Sequence, residues 1–264
     1  QGIKAARAAF PNVPQVACFD TAFHRTRSFV EEAYALPRRF FDEGIRRFGF
    51  HGLSYQFIAK QLAVVAPDVA KGKVVVAHLG SGASMCALNG GRSVASTMGF
   101  STIDGLPMGT RTGAIDPGVL LHLLDQKHMP LKELETLLYK ESGLKGLSGL
   151  SNDMRTLLAD ESSAAKEAVE YFVHRCAREV ASLATAAGGL DALVFTAGIG
   201  ERSSAIRGRI VRKLAWLGLA IDDAANGRNS TLISTRVSRA KVLCIPTNEE
   251  RCIAEAVSER LKPG

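Results

Sequence analysis

Hydrophobic and polar positions follow two different periods along the chain. Near-continuous apolar runs, typical of buried strands, occupy residues 73–80, 191–197 and 241–246. Residues 83–96 predict two further strands in a hairpin, because Asn89, Gly90 and Gly91 form a turn signal between two strand-like runs. Shorter strands are predicted at 14–19 and 217–221. Helical spacing predicts helices over 37–66 with an interruption at 48–52, from about Pro117 onward, and over 131–140, 162–187 and 202–215, with a final helix capped by Thr247 or Asn248.

A hairpin followed by alternating helices and strands predicts an α/β fold with a mixed sheet flanked by helices. The strand predicted at 14–19 has no predicted partner nearby in the sequence. An isolated strand implies that its sheet lies outside this chain.

The composition of the 264 residues, 46% hydrophobic and 22% charged, is that of an ordinary globular protein. The apolar runs are too short to cross a bilayer, and the first residues do not resemble a secretory signal, so we expect a cytoplasmic protein without a membrane partner. Five scattered cysteines without a CxxC pair favour buried thiols over a zinc site or disulfides. The net charge of +7 is spread along the chain and only 6% of residues are aromatic, so anionic small molecules are favoured over nucleic acid.

Residues 192–210, ALVFTAGIGERSSAIRGRI, predict a buried strand, a turn at Gly198 and Gly200, and a helix. A helix that begins this way offers unpaired N–H groups to a phosphate. Asp222, about twenty residues further on, makes the unit similar to a dinucleotide fingerprint, so an NAD-dependent oxidoreductase is one interpretation. However, Ser203 stands where the third glycine belongs, and the unit lies late in the chain. The Walker phosphate loop does not occur in this sequence.

A second glycine turn, in HLGSGASMCAL at 78–88, places the N–H groups of Gly80, Ser81 and Gly82 in a hairpin where they can bind phosphate. Such a hairpin together with a strand–GIG–helix unit is the layout of the actin-like ATPase superfamily. Six motifs at 18–24, 46–55, 78–84, 108–118, 195–203 and 246–250 occur in the order found in acetate kinases. The sequence resembles that family over essentially its whole length.

The resemblance implies an actin-like ATPase (ribonuclease H-like) fold and reversible phosphoryl transfer from ATP to acetate, giving acetyl phosphate and ADP with Mg²⁺ or Mn²⁺. A propionate or butyrate kinase is the alternative within the class, because Thr102 occupies a position where many members carry proline in the acyl pocket. A non-catalytic ATP-binding scaffold is a further alternative. The resemblance also implies a homodimer, for which the helix at 162–187 could supply the interface.

The resemblance assigns Arg111, His51 and Asp20 as catalytic residues, Phe50 to the acyl pocket and Glu249 to the metal. Without it, Arg111 could form a surface salt bridge, His51 and Phe50 could belong to the core, Asp20 could cap a helix, and Glu250 could replace Glu249. Nucleotide binding is carried over to three segments: His78, Leu79, Gly80, Ser81 and Gly82; Asp153, Met154 and Arg155; and Gly198, Ile199, Gly200, Glu201 and Arg202.

The chain departs from the family pattern at Ser81, where asparagine is common, at Ala114, where aspartate is usual, and at Thr102. The family's N-terminal phosphate turn and its carboxylate-holding arginine do not occur in this sequence. We therefore expect a remnant of an N-terminal domain at 1–21, a nucleotide-binding and dimerisation domain at 22–248, and a C-terminal helix at 249–264 that packs back toward the N-terminal domain. A chain of this kind is expected to bind ATP better than it catalyses transfer, and to be inactive alone.

Overall fold

A computed structural model describes residues 1–261. Its central feature is a five-stranded mixed sheet of order β3-β2-β1-β4-β5. The first three strands pair antiparallel, whereas β1, β4 and β5 run parallel. This arrangement confirms the predicted hairpin and the predicted α/β class with a mixed sheet. The strands are β1 (Lys73–Leu79), β2 (Ala83–Asn89), β3 (Arg92–Ser96), β4 (Ala192–Thr196) and β5 (Lys241–Cys244).

Helices cover both faces of this sheet. None of the helices within residues 1–261 combines the length and the apolar content needed to cross a membrane. The α-helices are α1 (Gly2–Ala9), α2 (Phe29–Glu32), α3 (Arg38–Asp42), α4 (Gly52–Val65), α5 (Pro117–Asp125), α6 (Leu131–Thr136), α7 (Gly143–Ser148), α8 (Met154–Ala159), α9 (Ser163–Ala187), α10 (Ala197–Arg202), α11 (Ser204–Lys213), α12 (Asp223–Gly227) and α13 (Glu249–Leu261). Short 3₁₀ turns occupy Ala22–Thr26 and Ala215–Leu217, and a π-turn occupies Leu137–Glu141.

The alternation of side chains along β1 divides the core into two layers. Val75, Ala77 and Leu79 join the cluster that contains the buried face of α9, whereas Val74 and Val76 join the cluster formed with α4 and α13. The apolar face of α9 packs on the core of its own chain, and the expectation that this helix supplies a dimer interface stays a prediction.

Two predicted strands are absent from the described residues. Residues 14–19 form no strand, and Phe19 is 53% exposed, because no neighbouring backbone pairs with this segment in residues 1–261. Residues 217–221 begin in a 3₁₀ turn, and Ile221 makes only an isolated bridge to Ser234.

Side chains cap the starts of two helices. Ser162 Oγ accepts from Ala165 N–H at the start of α9, and Asn248 Oδ1, one of the two predicted caps of the last helix, accepts from Arg251 N–H in α13. The last helix packs on α4, where Lys60 pairs with Glu255 at 2.8 Å. Residues 262–264 of the predicted C-terminal region lie outside the described residues, and the predicted three-part division of the chain stays a prediction.

Candidate active site

The candidate site lies at the carboxyl ends of the parallel strands β1 and β4. His78 near the end of β1 pairs with Thr196 at the end of β4, so the segments that follow both strands emerge side by side. After β1 the chain turns tightly, with Gly80 N–H donating to Gly82 C=O at 3.2 Å. After β4 it enters α10 directly. The two glycine segments singled out in the sequence therefore meet at one edge of the sheet, where open α/β folds bind their ligands.

A cavity of about 600 Å³ opens between these segments and α8. All three predicted nucleotide-binding segments contribute to its lining. The predicted residues that line it are Gly80, Ser81, Asp153, Met154, Arg155, Gly198, Ile199 and Arg202, and they are joined by Leu158, Ala159 and residues 203–205, which the sequence analysis did not identify.

The other predicted nucleotide residues lie beside this cavity rather than in its lining. The side chain of Leu79 is fully buried in the core, and Gly200 is buried against the backbone of Ala77. Glu201 Oε1 accepts from Ala197 N–H at 2.8 Å and from Thr247 N–H at 3.0 Å, so its carboxylate ties α10 to the segment before α13. Gly82 and His78 lie on the side of the turn that faces His51.

Asp153 and Arg155 form an exposed pair at the cavity mouth. Asp153 caps α8 by accepting from Arg155 N–H at 2.9 Å, and it also accepts from the Arg155 guanidinium at 2.6 Å. The Arg155 guanidinium lowers the pKa of Asp153 to about 2. The pair places one negative and one positive charge at the edge of the cavity.

His51 is held at the N-terminus of α4 in an unusual backbone conformation. Its φ of 56° lies in the left-handed region, which non-glycine residues rarely adopt and which often marks a functional site. The imidazole stacks on that of His78, with ring centroids 4.1 Å apart. Burial, together with the nearby Arg111 cation, lowers the pKa of His51, although Asp20 acts in the opposite direction. His51 is therefore neutral at pH 7.

Hydroxyl groups hydrogen-bond to the Nδ1 atoms of both imidazoles and hold their orientation. His51 Nδ1 lies 2.8 Å from Ser84 Oγ, which also bonds the buried Tyr55 hydroxyl. His78 Nδ1 lies 2.8 Å from Ser54 Oγ. Burial, together with the nearby His51, lowers the pKa of His78 to about 3. Both rings are thus neutral and restricted in rotation.

Arg111 and His51 converge on Gly82. A Cβ built on Gly82 would lie 3.5 Å from His51 Nε2 and 3.6 Å from Arg111 Nη1, so the absence of a side chain leaves space between the two groups. Within residues 1–261, Arg111 Nη1 donates to Thr102 C=O at 3.1 Å and contacts Met108 Sδ rather than a carboxylate. The surface salt bridge considered from the sequence is not formed, and the guanidinium is available to an anion.

Asp20 and Glu249 place two carboxylates near the same end of the cleft. Asp20 Oδ1 accepts from Leu53 N–H at 3.5 Å, at the start of α4. Burial raises the pKa of Glu249, and the neighbouring Asp20 charge raises it further. Residues 1–261 contain no group of three or more His, Cys, Asp or Glu side chains able to hold a metal. A pair of hard oxygen donors fits Mg²⁺ when substrate and water supply the remaining ligands.

Phe50 precedes His51 and is half-buried against the main core cluster. Its carbonyl accepts from His24 Nε2 at 3.0 Å. Thr102, which the resemblance assigns to the acyl pocket, accepts from Arg111 through its carbonyl and so lies next to the guanidinium.

Sequence reasoning missed the hydroxyls that hold the histidines. Two signals could have found them. Ser84 is the cross-strand partner of His78 across the predicted hairpin, and Tyr55 follows His51 by one helical turn. The proximity of Ser84 and Tyr55 to the two histidines therefore follows from the strand register of the hairpin and from the helical spacing of α4.

The model of the acetokinase family matches residues 1–255. The acetate kinase of Methylocella silvestris is 57% identical over 253 residues, which are 96% of this chain and 63% of that protein. A propionate kinase from Francisella tularensis superposes with a TM-score of 0.91 at 42% identity, over 97% of this chain and 67% of the other. An acetate kinase from Porphyromonas gingivalis gives a TM-score of 0.92 at 33% identity, over 99% and 67%.

These matches confirm the expected actin-like ATPase fold. They give no support to the oxidoreductase interpretation of Gly198 and Gly200. The chain spans about 63% of the length of the Methylocella silvestris relative.

Proposed function

The chain belongs to the acetokinase family, and on that premise we propose that it carries most of the active site of an ATP-dependent acetate kinase. The reaction is phosphoryl transfer from ATP to the carboxylate of acetate, giving acetyl phosphate and ADP. The observation that carries the proposal is the convergence of His51 Nε2 and Arg111 Nη1 on Gly82, beside the cavity lined by the predicted nucleotide residues.

Arg111 stabilises the charge on the migrating phosphoryl group. Phosphoryl transfer depends on positioning and electrostatics rather than on covalent participation of the protein. A planar guanidinium binds phosphoryl oxygens in bidentate fashion. Arg111 has no carboxylate partner in residues 1–261, so no protein anion there neutralises its charge.

His51 acts as a neutral hydrogen-bond donor. Among the described residues, the buried Tyr55 hydroxyl has Ser84 as its hydrogen-bond partner, so Tyr55 O–H must donate to Ser84 Oγ to be satisfied. Ser84 O–H then donates to His51 Nδ1, and the remaining proton is on Nε2, directed toward Gly82. This chain of hydroxyls selects the tautomer that can donate to a phosphoryl or carboxylate oxygen.

Asp20 and Glu249 are the residues that would hold Mg²⁺, with Mn²⁺ as an alternative. The ion neutralises phosphate charge when it is bound.

Cytoplasmic location is proposed on the same family premise. Acetate is proposed as the acyl substrate, and propionate is the second candidate because a structural neighbour is described as a propionate kinase. Pocket differences of one methylene are worth about 1–3 kcal/mol, so kcat/KM for the two acids decides the preference.

A homodimer is proposed as the assembly. Its support is the exposure of Val119, Leu121 and Leu124 on α5 at 43%, 66% and 37%, together with the general prevalence of two-fold pairs. A monomeric mass by light scattering at micromolar concentration would count against it.

The test of the proposed reaction is trapping of acetyl phosphate as hydroxamate. The protein is this chain fused to the part of the Methylocella silvestris relative that it does not match. Arg111→Ala should lower kcat by about 10³-fold or more, by analogy with catalytic arginines in other phosphoryl transferases. Arg236→Ala, at an exposed position remote from the cavity lining, should leave kcat unchanged. An unchanged kcat in Arg111→Ala would overturn the assignment.

A further inference from the structure

A second cavity, of about 480 Å³, lies outside the nucleotide cavity and shares none of its lining residues. The cavity is lined by residues of the Ala22–Thr26 turn, by Arg27 and by residues 46–48. Four arginines line it, against a single carboxylate. These charged residues are Arg25, Arg27, Arg46, Arg47 and Glu32.

Arg27 is the best-buried of these cations. It is only 8% exposed. Its Nε donates to His24 C=O at 3.2 Å and its Nη2 donates to Arg47 C=O at 2.6 Å, whereas Nη1 is buried with no hydrogen-bond partner. Burial lowers the pKa of Arg27, which nevertheless stays charged. A buried charged donor without an acceptor is costly, and an anion that reached Nη1 would remove this cost.

The arginines beside the cavity outnumber the carboxylates. Arg47 pairs with Asp104 at 3.0 Å, and Arg46 lies 3.6 Å from Glu32 in a half-buried contact. Arg25 and Arg27 form no ion pair with any carboxylate in residues 1–261. Glu31 and Glu32 both act on the charge of Arg27, so with Asp104 three carboxylates stand beside four guanidinium groups, and one positive charge is in excess.

We propose that this cavity binds a small phosphate-type dianion. Several guanidinium groups around one cavity match an anion with three or more acceptor oxygens, and Arg25 has no carboxylate partner that competes for its N–H groups. The site is independent of the proposed kinase reaction, because it uses none of the residues assigned to that reaction.

The anion would also stabilise the segment that carries Phe50 and His51. Arg27 holds the carbonyls of His24 and Arg47, and His24 Nε2 contacts the Phe50 carbonyl at 3.0 Å. An anion that holds Arg27 in place would therefore also restrain, through His24, the backbone of the residue directly before His51.

The test is thermal unfolding and calorimetric titration of the 264-residue chain with sodium phosphate at constant ionic strength. Sodium chloride and sodium acetate serve as the other arms. Phosphate should raise the Tm of the unaltered chain and of Arg111→Ala, since a ligand of the folded state stabilises it. The double variant Arg25→Gln/Arg46→Gln, altered at two exposed side chains, should bind phosphate at least tenfold more weakly. Arg209→Gln/Arg236→Gln matches its change in net charge at exposed positions outside the cavity and should behave like the unaltered chain.

Arg27→Met gives the second readout. Arg27→Met should lower Tm in chloride, because the carbonyls of His24 and Arg47 lose their donor, and it should abolish the additional rise in Tm that phosphate gives. The proposal is overturned if the unaltered chain does not respond to phosphate or responds equally to acetate. It is also overturned if Arg111→Ala loses the phosphate response while Arg25→Gln/Arg46→Gln retains it, or if Arg25→Gln/Arg46→Gln binds phosphate with unchanged affinity.

Discussion

At the scale of single residues, the candidate site is built on histidines that are kept uncharged. Burial lowers the pKa of His24 to about 4 and, with the nearby His51, that of His78 to about 3. Each ring is instead satisfied by neutral partners: His24 by Ser93 Oγ and the Phe50 carbonyl, and His78 by Ser54 Oγ. A neutral imidazole can donate from one nitrogen while accepting at the other, which a protonated ring cannot do.

The lowered pKa values make stability depend on pH in a defined direction. In the unfolded chain these histidines protonate near pH 6.5, whereas in the folded protein they do so only near pH 3–4. The contribution of these two histidines to the free energy of unfolding is therefore complete above pH 6.5 and is lost as the pH falls toward 4. For each histidine, the free energy of unfolding should fall by about 2 kcal/mol between pH 7 and pH 5. Urea unfolding at the two pH values measures the loss.

Two variants identify the residues responsible for this pH dependence. His24→Gln should show a smaller difference between pH 7 and pH 5, because one of the two buried imidazoles is gone. His122→Gln, at an exposed position on α5, should retain the full difference. Equal pH dependence in all three proteins would contradict the role of burial.

Ser84 is expected to hold the orientation of His51. Ser84→Ala removes the partner of His51 Nδ1 and leaves the buried Tyr55 hydroxyl without an acceptor. The loss of stability should be about 1–3 kcal/mol. In Ser84→Ala/Tyr55→Phe both polar partners are absent, so part of that loss should be recovered. Urea unfolding of the four proteins of this cycle measures the coupling, and ¹⁵N chemical shifts of His51 report its tautomer. Strictly additive losses with an unchanged tautomer would exclude the proposed chain of hydroxyls.

At the scale of secondary structure, local sequence signals and long-range pairing had different predictive power. The hairpin of β2 and β3 was predictable because Asn89, Gly90 and Gly91 specify a tight turn, and α9 because helical spacing continues over residues 162–187. Residues 14–19 have strand-like composition but no partner strand in the described residues, and pairing is not encoded locally. The same distinction applies to the site, since its motifs were visible in the sequence whereas the convergence at Gly82 required the fold.

The end of α9 provides a test of local encoding. Gly188 has a φ of 76°, and its N–H donates back to Thr185 C=O, so the helix ends in a left-handed residue. Gly188→Ala should lower the free energy of unfolding by about 1 kcal/mol, because a Cβ disfavours this conformation. Gly227→Ala, where φ is not positive and no atom lies within 4 Å of the added Cβ, should be neutral or slightly stabilising. Equal effects of the two substitutions, measured by urea unfolding, would show that backbone strain is not the cause.

At the scale of the whole molecule, the proposed nucleotide cavity and the proposed catalytic cleft differ in how much of each the chain supplies. The cavity is lined on several sides by α8, α10 and the β1–β2 turn. The cleft has Arg111, His51, Asp20 and Glu249. The carboxylate-holding arginine expected from the family resemblance does not occur in this sequence. Nucleotide binding and phosphoryl transfer should therefore separate experimentally.

We predict that the 264-residue chain alone binds ATP but forms no acetyl phosphate. Transfer requires the acyl carboxylate and the γ-phosphate to be held in line at close distance, and positioning of that kind is worth about 7–11 kcal/mol. A cleft without the carboxylate-holding group forfeits much of this and admits water. Calorimetric titration with ATP and with NADH tests binding, for which a response to ATP alone is expected. The hydroxamate assay tests turnover in the chain beside its fusion to the unmatched part of the Methylocella silvestris relative. Comparable turnover by both proteins would show that residues 1–264 suffice for catalysis, contrary to the prediction.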